Sequence, residues 1–227
     1  MAETHSPDMG NPWLTIPLHD YEEHMSSSHV QQLPALSELF GQALQHCSPE
    51  SVALLGIAGG NGLERIDPAV TRRICGIDIN PAYIEATRQR FAGLPDLELH
   101  CRDLEHEALD LPPMQLVHAA LIFEHTGLGR CLDNACNLAG GGGSLSVVLQ
   151  LPARNPEQNI SRNSRPSIET LRDHFQLIPP PHLRASLEKR GFQMVWHVER
   201  PLPSGKGFWM GIFKMQSQPK PTADLRR

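Results

Sequence analysis

The sequence predicts an α/β fold with a doubly wound, mainly parallel sheet of seven strands whose last strand is antiparallel. Short apolar runs alternate with helical segments, and such crossovers favour parallel strands covered on both faces. The first of these runs ends in a glycine-rich loop, which is typical of ligand-binding sheets of this kind. The last two runs are joined by so short a connection that their strands must be antiparallel.

The composition indicates a single globular domain with appendages. Of the 227 residues, 40% are hydrophobic and 20% are charged, and the formal net charge is −5. A mildly acidic chain has no overall field that attracts nucleic-acid phosphates, so DNA and RNA are disfavoured as partners. The 12 histidines show no recognised ligand spacing, so we expect no metal. The sequence does not indicate an oligomeric state.

The cysteines and the N-terminus bear on the cellular compartment. The five cysteines are odd in number and widely spaced, which fits reduced thiols. The first 30 residues lack the pattern of a secretory signal, and no window resembles a membrane span. We therefore expect a cytoplasmic protein that does not enter a membrane.

The N-terminal region is expected to be an arm over residues 1–30, followed by the main domain over residues 31–216. Within the arm, Asp20 can cap a short helix that ends near His29. Pro34 suits the first turn of the next helix. The apolar face of that helix has helical spacing and consists of Leu36, Leu39, Phe40 and Leu44.

The remaining elements follow from apolar runs and from capping residues. Asn80 and Pro81 begin a helix that ends near Phe91, and Gly191 ends a later helix over 182–190. Another helix contains residues 133–138. The predicted strands cover residues 51–57, 73–78, 97–101, 115–122, 144–151, 192–198 and 208–215. Residues 152–167 are polar and without period, which predicts a loop, and we expect a disordered tail over 217–227.

Three features at the ends of successive strands predict a ligand site. The loop from Gly56 to Gly62 lets the backbone approach a ligand closely, and a helix after it would offer free N–H groups to an anion. Asp78 closes the second strand, where a carboxylate can accept the two hydroxyls of a ribose. Asp103 follows the third strand in the same layer and can accept a bond from an exocyclic amine such as that of adenine.

These motifs, in this order, resemble those of the class I S-adenosylmethionine (SAM)-dependent methyltransferases over roughly residues 50–215. LLGIAGG (54–60) resembles the family's acid-x-Gly-x-Gly-x-Gly motif, although Leu54 replaces the acid and Ala58 the middle glycine. GIDINP (76–81), CRDLE (101–105) and QLVHAALIFEH (115–125) resemble the motifs that follow. The resemblance implies a Rossmann-like methyltransferase fold with SAM as cofactor. The cofactor-binding residues it implies are Gly56, Ala58, Gly60, Asn61, Asp78, Ile79, Asp103, Leu104 and Ala119.

Methyl transfer from a sulfonium is an in-line displacement, so the protein mainly aligns the nucleophile and excludes water. A nucleophile of high pKa also needs a base. Candidates are Glu124 and His125, just after the fourth strand, and Tyr21 if the arm folds over that edge. The alternative is that Glu124 and His125 are ordinary loop or helix-start residues.

The arm and the loop over 152–178 are the segments that could close the site as a lid. The loop contributes Arg154, Arg162 and Arg165, which would suit an anionic substrate. The arm contributes Trp13, Tyr21, His24 and Met25. A disordered arm and a plain surface loop are the alternative.

The sequence thus favours a SAM-dependent methyltransferase that acts on a small-molecule acceptor, whose identity it does not indicate. Two other functions stay open. One is a non-catalytic SAM-binding module. The other is a nicotinamide-dependent oxidoreductase, although its Gly-x-Gly-x-x-Gly spacing is not found in the loop.

Overall fold

The computed structural model describes residues 10–28, 30–153 and 166–215. Its strands are β1 Ser51–Leu55, β2 Arg73–Asp78, β3 Leu97–Cys101, β4 Leu116–Ala120, β5 Ser144–Leu151, β6 Phe192–Pro201 and β7 Gly207–Met215. They form one sheet in the order β3-β2-β1-β4-β5-β7-β6. Strands β1 to β5 pair in parallel, and β7 lies antiparallel between β5 and β6. The predicted fold class is confirmed.

Helices cover both faces of this sheet, as the alternating pattern predicts. They are α1 Leu18–Ser26, α2 Gln32–Cys47, α3 Pro81–Arg90, α4 Phe123–Thr126, α5 Arg130–Ala139, α6 Pro166–Glu169 and α7 Pro180–Glu188. Successive strand residues point to opposite faces. Val52 and Leu54 therefore pack with α2 and α3, while Ala53 and Leu55 pack with α5 and α7.

Local capping signals place α3 where the sequence predicts it. The Asn80 side chain accepts the Ala82 N–H at 2.8 Å, and Pro81 is the first helical residue. Pro fits there because the first N–H groups of a helix have no partner within the helix. Since Asn80 lies two residues after the end of β2, this cap fixes the backbone close to Asp78.

The helix expected after the glycine loop is absent, and that prediction is wrong. Between β1 and β2 the described chain forms only a 3-10 turn, Leu63–Arg65. Helix α3 holds the loop instead. The Thr87 hydroxyl donates to the Ala58 carbonyl, and Arg90 donates to the Gly59 carbonyl, both at 2.8 Å.

The arm also differs from the prediction. Pro17, with extended backbone, occupies the N-cap of α1, and the helix ends at Ser26 rather than near His29. Asp20 lies one turn further in, and its carboxylate accepts the Ser167 hydroxyl at 2.7 Å. A contact with a distant part of the chain, which local rules do not include, thus determines the role of Asp20.

Several predicted boundaries shift as well. Pro166 begins α6, α7 begins at Pro180, and β6 continues to Pro201. The predicted loop arginines Arg154, Arg162 and Arg165 lie outside the described residues, as do residues 1–9 and the predicted tail over 217–227.

All five cysteines are free thiols. No helix in the described ranges has the length and apolar character needed to cross a bilayer.

Candidate active site at the carboxyl edge of the sheet

A cavity of about 400 Å³ opens at the carboxyl ends of the parallel strands. Its walls include the carboxyl ends of β2, β4 and β5, the segments that follow β1, β2, β3 and β4, the arm, α6 and the chain after α6. This is the edge where open α/β sheets bind ligands, and the volume is within the range of small-molecule sites.

The glycine loop lines one side of this cavity through Gly56 and Ala58, both with left-handed backbone at φ +70° and +47°. A side chain makes that conformation costly by about 1–2 kcal/mol. Two hydrogen bonds hold Ala58 there: its N–H donates to Asp78 Oδ2 at 2.8 Å, and its carbonyl accepts from Thr87. The alanine in the motif therefore preserves the loop conformation.

Asp78 connects this loop to the end of β2. Its carboxylate is buried yet borders the cavity, and Oδ1 accepts the Asn80 N–H at 2.9 Å. Burial raises the pKa of Asp78, while its backbone hydrogen bonds act in the opposite direction. A carboxylate has about four acceptor positions, so it retains capacity for the hydroxyl groups of a ligand.

Asp103, after β3, borders the same side of the cavity. Its Oδ1 accepts the Glu105 N–H and its Oδ2 lies against His106 Nδ1, both at 2.9 Å. Burial opposes ionisation, but the hydrogen bonds from His106 and Glu105 outweigh it and lower the pKa of Asp103. The carboxylate is therefore ionised and stays an acceptor at neutral pH.

The structure brings together most of the predicted cofactor-binding residues, but not all. Those on the cavity wall are Gly56, Ala58, Asp78, Ile79, Asp103 and Leu104. Gly60, Asn61 and Ala119 are not on it. Gly60 packs against the Phe91 ring, and Ala119 is fully buried in the sheet.

Asn61 and Leu54 face the opposite side of the loop. Asn61 Nδ2 donates to the Leu33 carbonyl at 3.1 Å. Asn61 and Leu54 both border a second, much smaller cavity of about 50 Å³. Leu54, at the acid position of the motif, packs in the apolar cluster with α2. This position at the end of β1 therefore has no carboxylate in the described structure.

His125 is the predicted catalytic candidate with the clearest position. Its ring lies on the cavity wall between Trp13 and Phe175, with centroid distances of 4.9 and 5.5 Å. Nδ1 is buried and has no hydrogen-bond partner among the described residues. Burial lowers the pKa of His125 to about 4, against a hydrogen bond with the His174 backbone, so the ring is neutral at pH 7.

Glu124 and Tyr21 occupy different positions. Glu124 is 1% exposed and does not border the cavity; its Oε1 accepts the Gln150 N–H at 2.7 Å, and burial raises its pKa to about 7. It therefore supports the end of β5. Tyr21 does border the cavity. Burial and the charges of Asp78 and Glu22 raise the pKa of Tyr21, so it stays a neutral phenol.

The arm is attached to α3 along its length. Asn80 Nδ2 donates to the Trp13 carbonyl at 2.7 Å, and the Tyr83 hydroxyl donates to the Ile16 carbonyl at 2.9 Å. These bonds bring the arm to the cavity. The wall residues from the arm, from α6 and from the chain after α6 include Trp13, Tyr21, His24, Met25, Ile168, Leu171, His174 and Phe175.

The polar wall residues that sequence reasoning missed include Gln32, Gln150 and Lys206. Lys206 lies in the predicted hairpin turn and is only 6% exposed. One signal could have identified Lys206: an antiparallel last strand must begin at the carboxyl edge of the sheet.

Among residues 10–28, 30–153 and 166–215, no three His, Cys, Asp or Glu side chains cluster as metal ligands would.

Comparisons with known proteins agree with this geometry. No protein-family model matches the sequence, and no curated protein does. Among solved structures, the N-methyltransferase NodS from Bradyrhizobium japonicum WM9, in complex with S-adenosyl-L-homocysteine (SAH), superposes with a TM-score of 0.65 at 14% identity, covering 92% of this chain and 100% of NodS. The chain has the class I methyltransferase fold. The strand order with its antiparallel β7 is that of this fold.

Other proteins of the methyltransferase fold show how far that likeness extends. The CurJ carbon methyltransferase superposes with a TM-score of 0.62 at 14% identity, covering 91% of this chain and 62% of CurJ. The [4+2]-cyclase SpnF superposes with a TM-score of 0.63 at 13% identity, covering 83% of both chains. The fold is shared by proteins named for different reactions, so function must be argued from the site.

Proposed function

We propose that the protein is a SAM-dependent methyltransferase whose acceptor is a small molecule. The observation that carries the proposal is the single cavity that joins Gly56, Asp78 and Asp103 to the ring of His125. A methyl donor and an acceptor must meet in one water-poor space, and this cavity has one side suited to each.

The donor side fits SAM in its chemistry. Asp78 would accept the ribose hydroxyls, and Asp103 would accept the adenine amine, while Gly56 and Ala58 allow close approach of the backbone. Bound SAM supplies an electrophilic methyl group on a sulfonium. Gly60, Asn61 and Ala119 are not included in the proposed contacts, because they lie away from the cavity wall.

His125 would orient the acceptor. A neutral imidazole with a free Nδ1 accepts a hydrogen bond from an N–H or O–H group and so directs the lone pair of that atom. The pKa of about 4 makes His125 a weak base, which suits orientation better than full proton removal. The rings of Trp13 and Phe175 hold it in place and exclude water.

Two measurements test the proposal. Calorimetry should show SAM and SAH binding below millimolar dissociation constants and no binding of NAD. Methyl-labelled SAM, incubated with protein and a small-molecule extract, should give SAH and one labelled product in equal amounts. Binding without turnover would favour the non-catalytic SAM-binding module, and binding of NAD alone would favour the oxidoreductase.

The variant His125→Phe tests the role of the ring. Phenylalanine keeps the packing against Trp13 and Phe175 and removes Nδ1 as an acceptor. We expect kcat to fall at least tenfold while the dissociation constant of SAM is unchanged.

We also propose that the protein acts in the cytoplasm, in keeping with its free thiols.

A further inference from the structure

The carboxylate of Asp103 is held by the short turn that follows β3. Its Oδ1 accepts the backbone N–H groups of Glu105 and His106, at 2.9 and 3.3 Å. Its Oδ2 lies 2.9 Å from Nδ1 of the His106 ring. An ionised carboxylate can only accept hydrogen bonds, so Nδ1 carries the hydrogen and donates it to Oδ2. Both oxygens of the carboxylate thus have a donor from this turn.

These bonds leave one part of the carboxylate for a ligand. Each carboxylate oxygen has about two acceptor positions. Among the described residues, Oδ1 has two donors from the backbone, whereas Oδ2 has one, the His106 ring. Asp103 and His106 both border the cavity. The second position on Oδ2 is therefore the one that a ligand can use, and the ring bound to the same oxygen determines its direction.

The backbone of this turn does not depend on the His106 ring. The side chain of Asn134, in α5, donates to the Leu104 and Glu107 carbonyls at 3.1 and 2.8 Å. It also accepts the Leu109 N–H at 3.0 Å, and it is buried. A variant without the ring should therefore keep the turn, so the role of His106 can be separated from folding.

Arg102 borders the same part of the cavity, but its guanidinium is directed to other groups. It donates to the Cys101 carbonyl at 3.0 Å, and its Nε lies 3.7 Å from Glu107 Oε2. The Asp103 side chain is 25% exposed and that of His106 is 72% exposed. Among the described side chains, an accessible imidazole thus orients a carboxylate that is mostly enclosed.

We propose that His106 is a positioning residue for the cofactor: its ring holds the Asp103 carboxylate so that the open position on Oδ2 meets the exocyclic amine of adenine. This inference rests on the proposed function, which places that amine at Asp103. It gives His106 a part in selecting adenine nucleosides over nucleosides that lack the amine. His106 acts through Asp103 and does not require contact with the ligand.

The test compares SAH with the analogue in which unsubstituted purine replaces adenine, so that the two ligands differ only in the exocyclic amine. Calorimetry with the full chain measures both dissociation constants, and their ratio is the amine preference. His106→Ala removes the ring. His106→Asn keeps an N–H donor, because its amide nitrogen is as many bonds from the backbone as Nδ1. The matched control is His182→Ala, which removes an exposed histidine from α7, and melting temperatures report whether each variant is folded.

We expect the wild type and His182→Ala to prefer SAH roughly ten- to a hundredfold. His106→Ala should reduce this preference roughly two- to tenfold, because one more side chain must then be immobilised on binding. Its affinity for the purine analogue should not change, and His106→Asn should restore most of the preference. Asp103→Ala should abolish the preference, and adding His106→Ala to it should weaken SAH binding no further.

The inference is overturned if His106→Ala keeps or increases the preference, if it weakens both ligands equally, or if His106→Asn restores nothing. A wild type that binds SAH and the purine analogue equally also overturns it, since Asp103 then makes no contact with the amine. A wild type that does not bind SAH would instead refute the proposed function.

Discussion

Replacing Gly59 with alanine should weaken the attachment of the N-terminal arm to α3. Gly59 does not have a positive φ, so its backbone accepts a side chain. A methyl group there would collide with Glu22 Oε1 and Arg90 Nη1, which are the ends of flexible side chains. These two groups form the ion pair that attaches α1 to α3, at 2.6 Å. The substitution should therefore separate them.

The size of the effect follows from the interactions lost. The pair is partly exposed, with side-chain exposures of 45% and 28%, so it contributes about 0.2–1 kcal/mol. The bond from Arg90 to the Gly59 carbonyl joins α3 to the glycine loop, so it does not contribute to docking of the arm. A loss of about 0.2–1 kcal/mol changes the docking equilibrium of the arm roughly 1.4- to fivefold.

Limited proteolysis measures this equilibrium, because cleavage of a transiently opened segment depends on the population of its open form. Chymotryptic cleavage after Trp13 or Tyr21 should be roughly 1.4 to five times faster in Gly59→Ala, and salt should accelerate cleavage of the wild type more than of the variant. Gly93→Ala is the matched control, since its new methyl group meets nothing within 4 Å. Equal cleavage rates in Gly59→Ala and the wild type would refute the reasoning.

Three further changes have definite expected outcomes. Asp78→Ala should weaken SAM binding roughly ten- to a hundredfold by calorimetry, whereas Asp67→Ala, away from the cavity, should leave it unchanged; equal losses would contradict the assigned site. Burial raises the pKa of Glu124 from 4.5 to about 7, so the wild type loses roughly 3 kcal/mol of stability as the pH rises through that range. In urea titrations, Glu124→Gln should gain about that amount relative to the wild type between pH 4.5 and 7, and a pH-independent difference would refute the assignment. Tyr83→Phe removes the bond to the Ile16 carbonyl and should cost about 1–2 kcal/mol of unfolding free energy with faster cleavage of the arm; an unchanged melting curve and cleavage rate would show that this bond contributes nothing.

The sequence predicts the sheet and its acidic edge well because the signals are local. The apolar run that ends at Asp78 and the Asn80–Pro81 cap each specify their own structure through nearby backbone groups. The position of His125 follows from the end of β4 in the same way. The neutral state of His125 and its packing between two rings do not follow from the local sequence, because they depend on Trp13 and Phe175 from distant parts of the chain.

Long-range contacts account for what the sequence does not predict. A 3-10 turn follows the glycine loop in place of the expected helix, and the hydroxyl of Thr87 and the guanidinium of Arg90 hold the loop from α3. Asp20 has a cap-like sequence position, yet its carboxylate binds Ser167 in α6. Lys206 has the local pattern of an exposed turn, and only the antiparallel pairing of β7 brings it into the cavity.

The position of the arm also has a consequence for biosynthesis. Asp20 and Ser167, which meet in the folded protein, are separated by 147 residues. At about 5–20 residues per second, a ribosome needs roughly 7–30 s to make the chain between them. During that time Ile16 and Met25, buried in the final fold, lack part of their cover. The first described segment to leave the ribosome can contact α3 early, but its docking is complete only after α6 has been made, and nascent-chain chaperones and proteases have access to it until then.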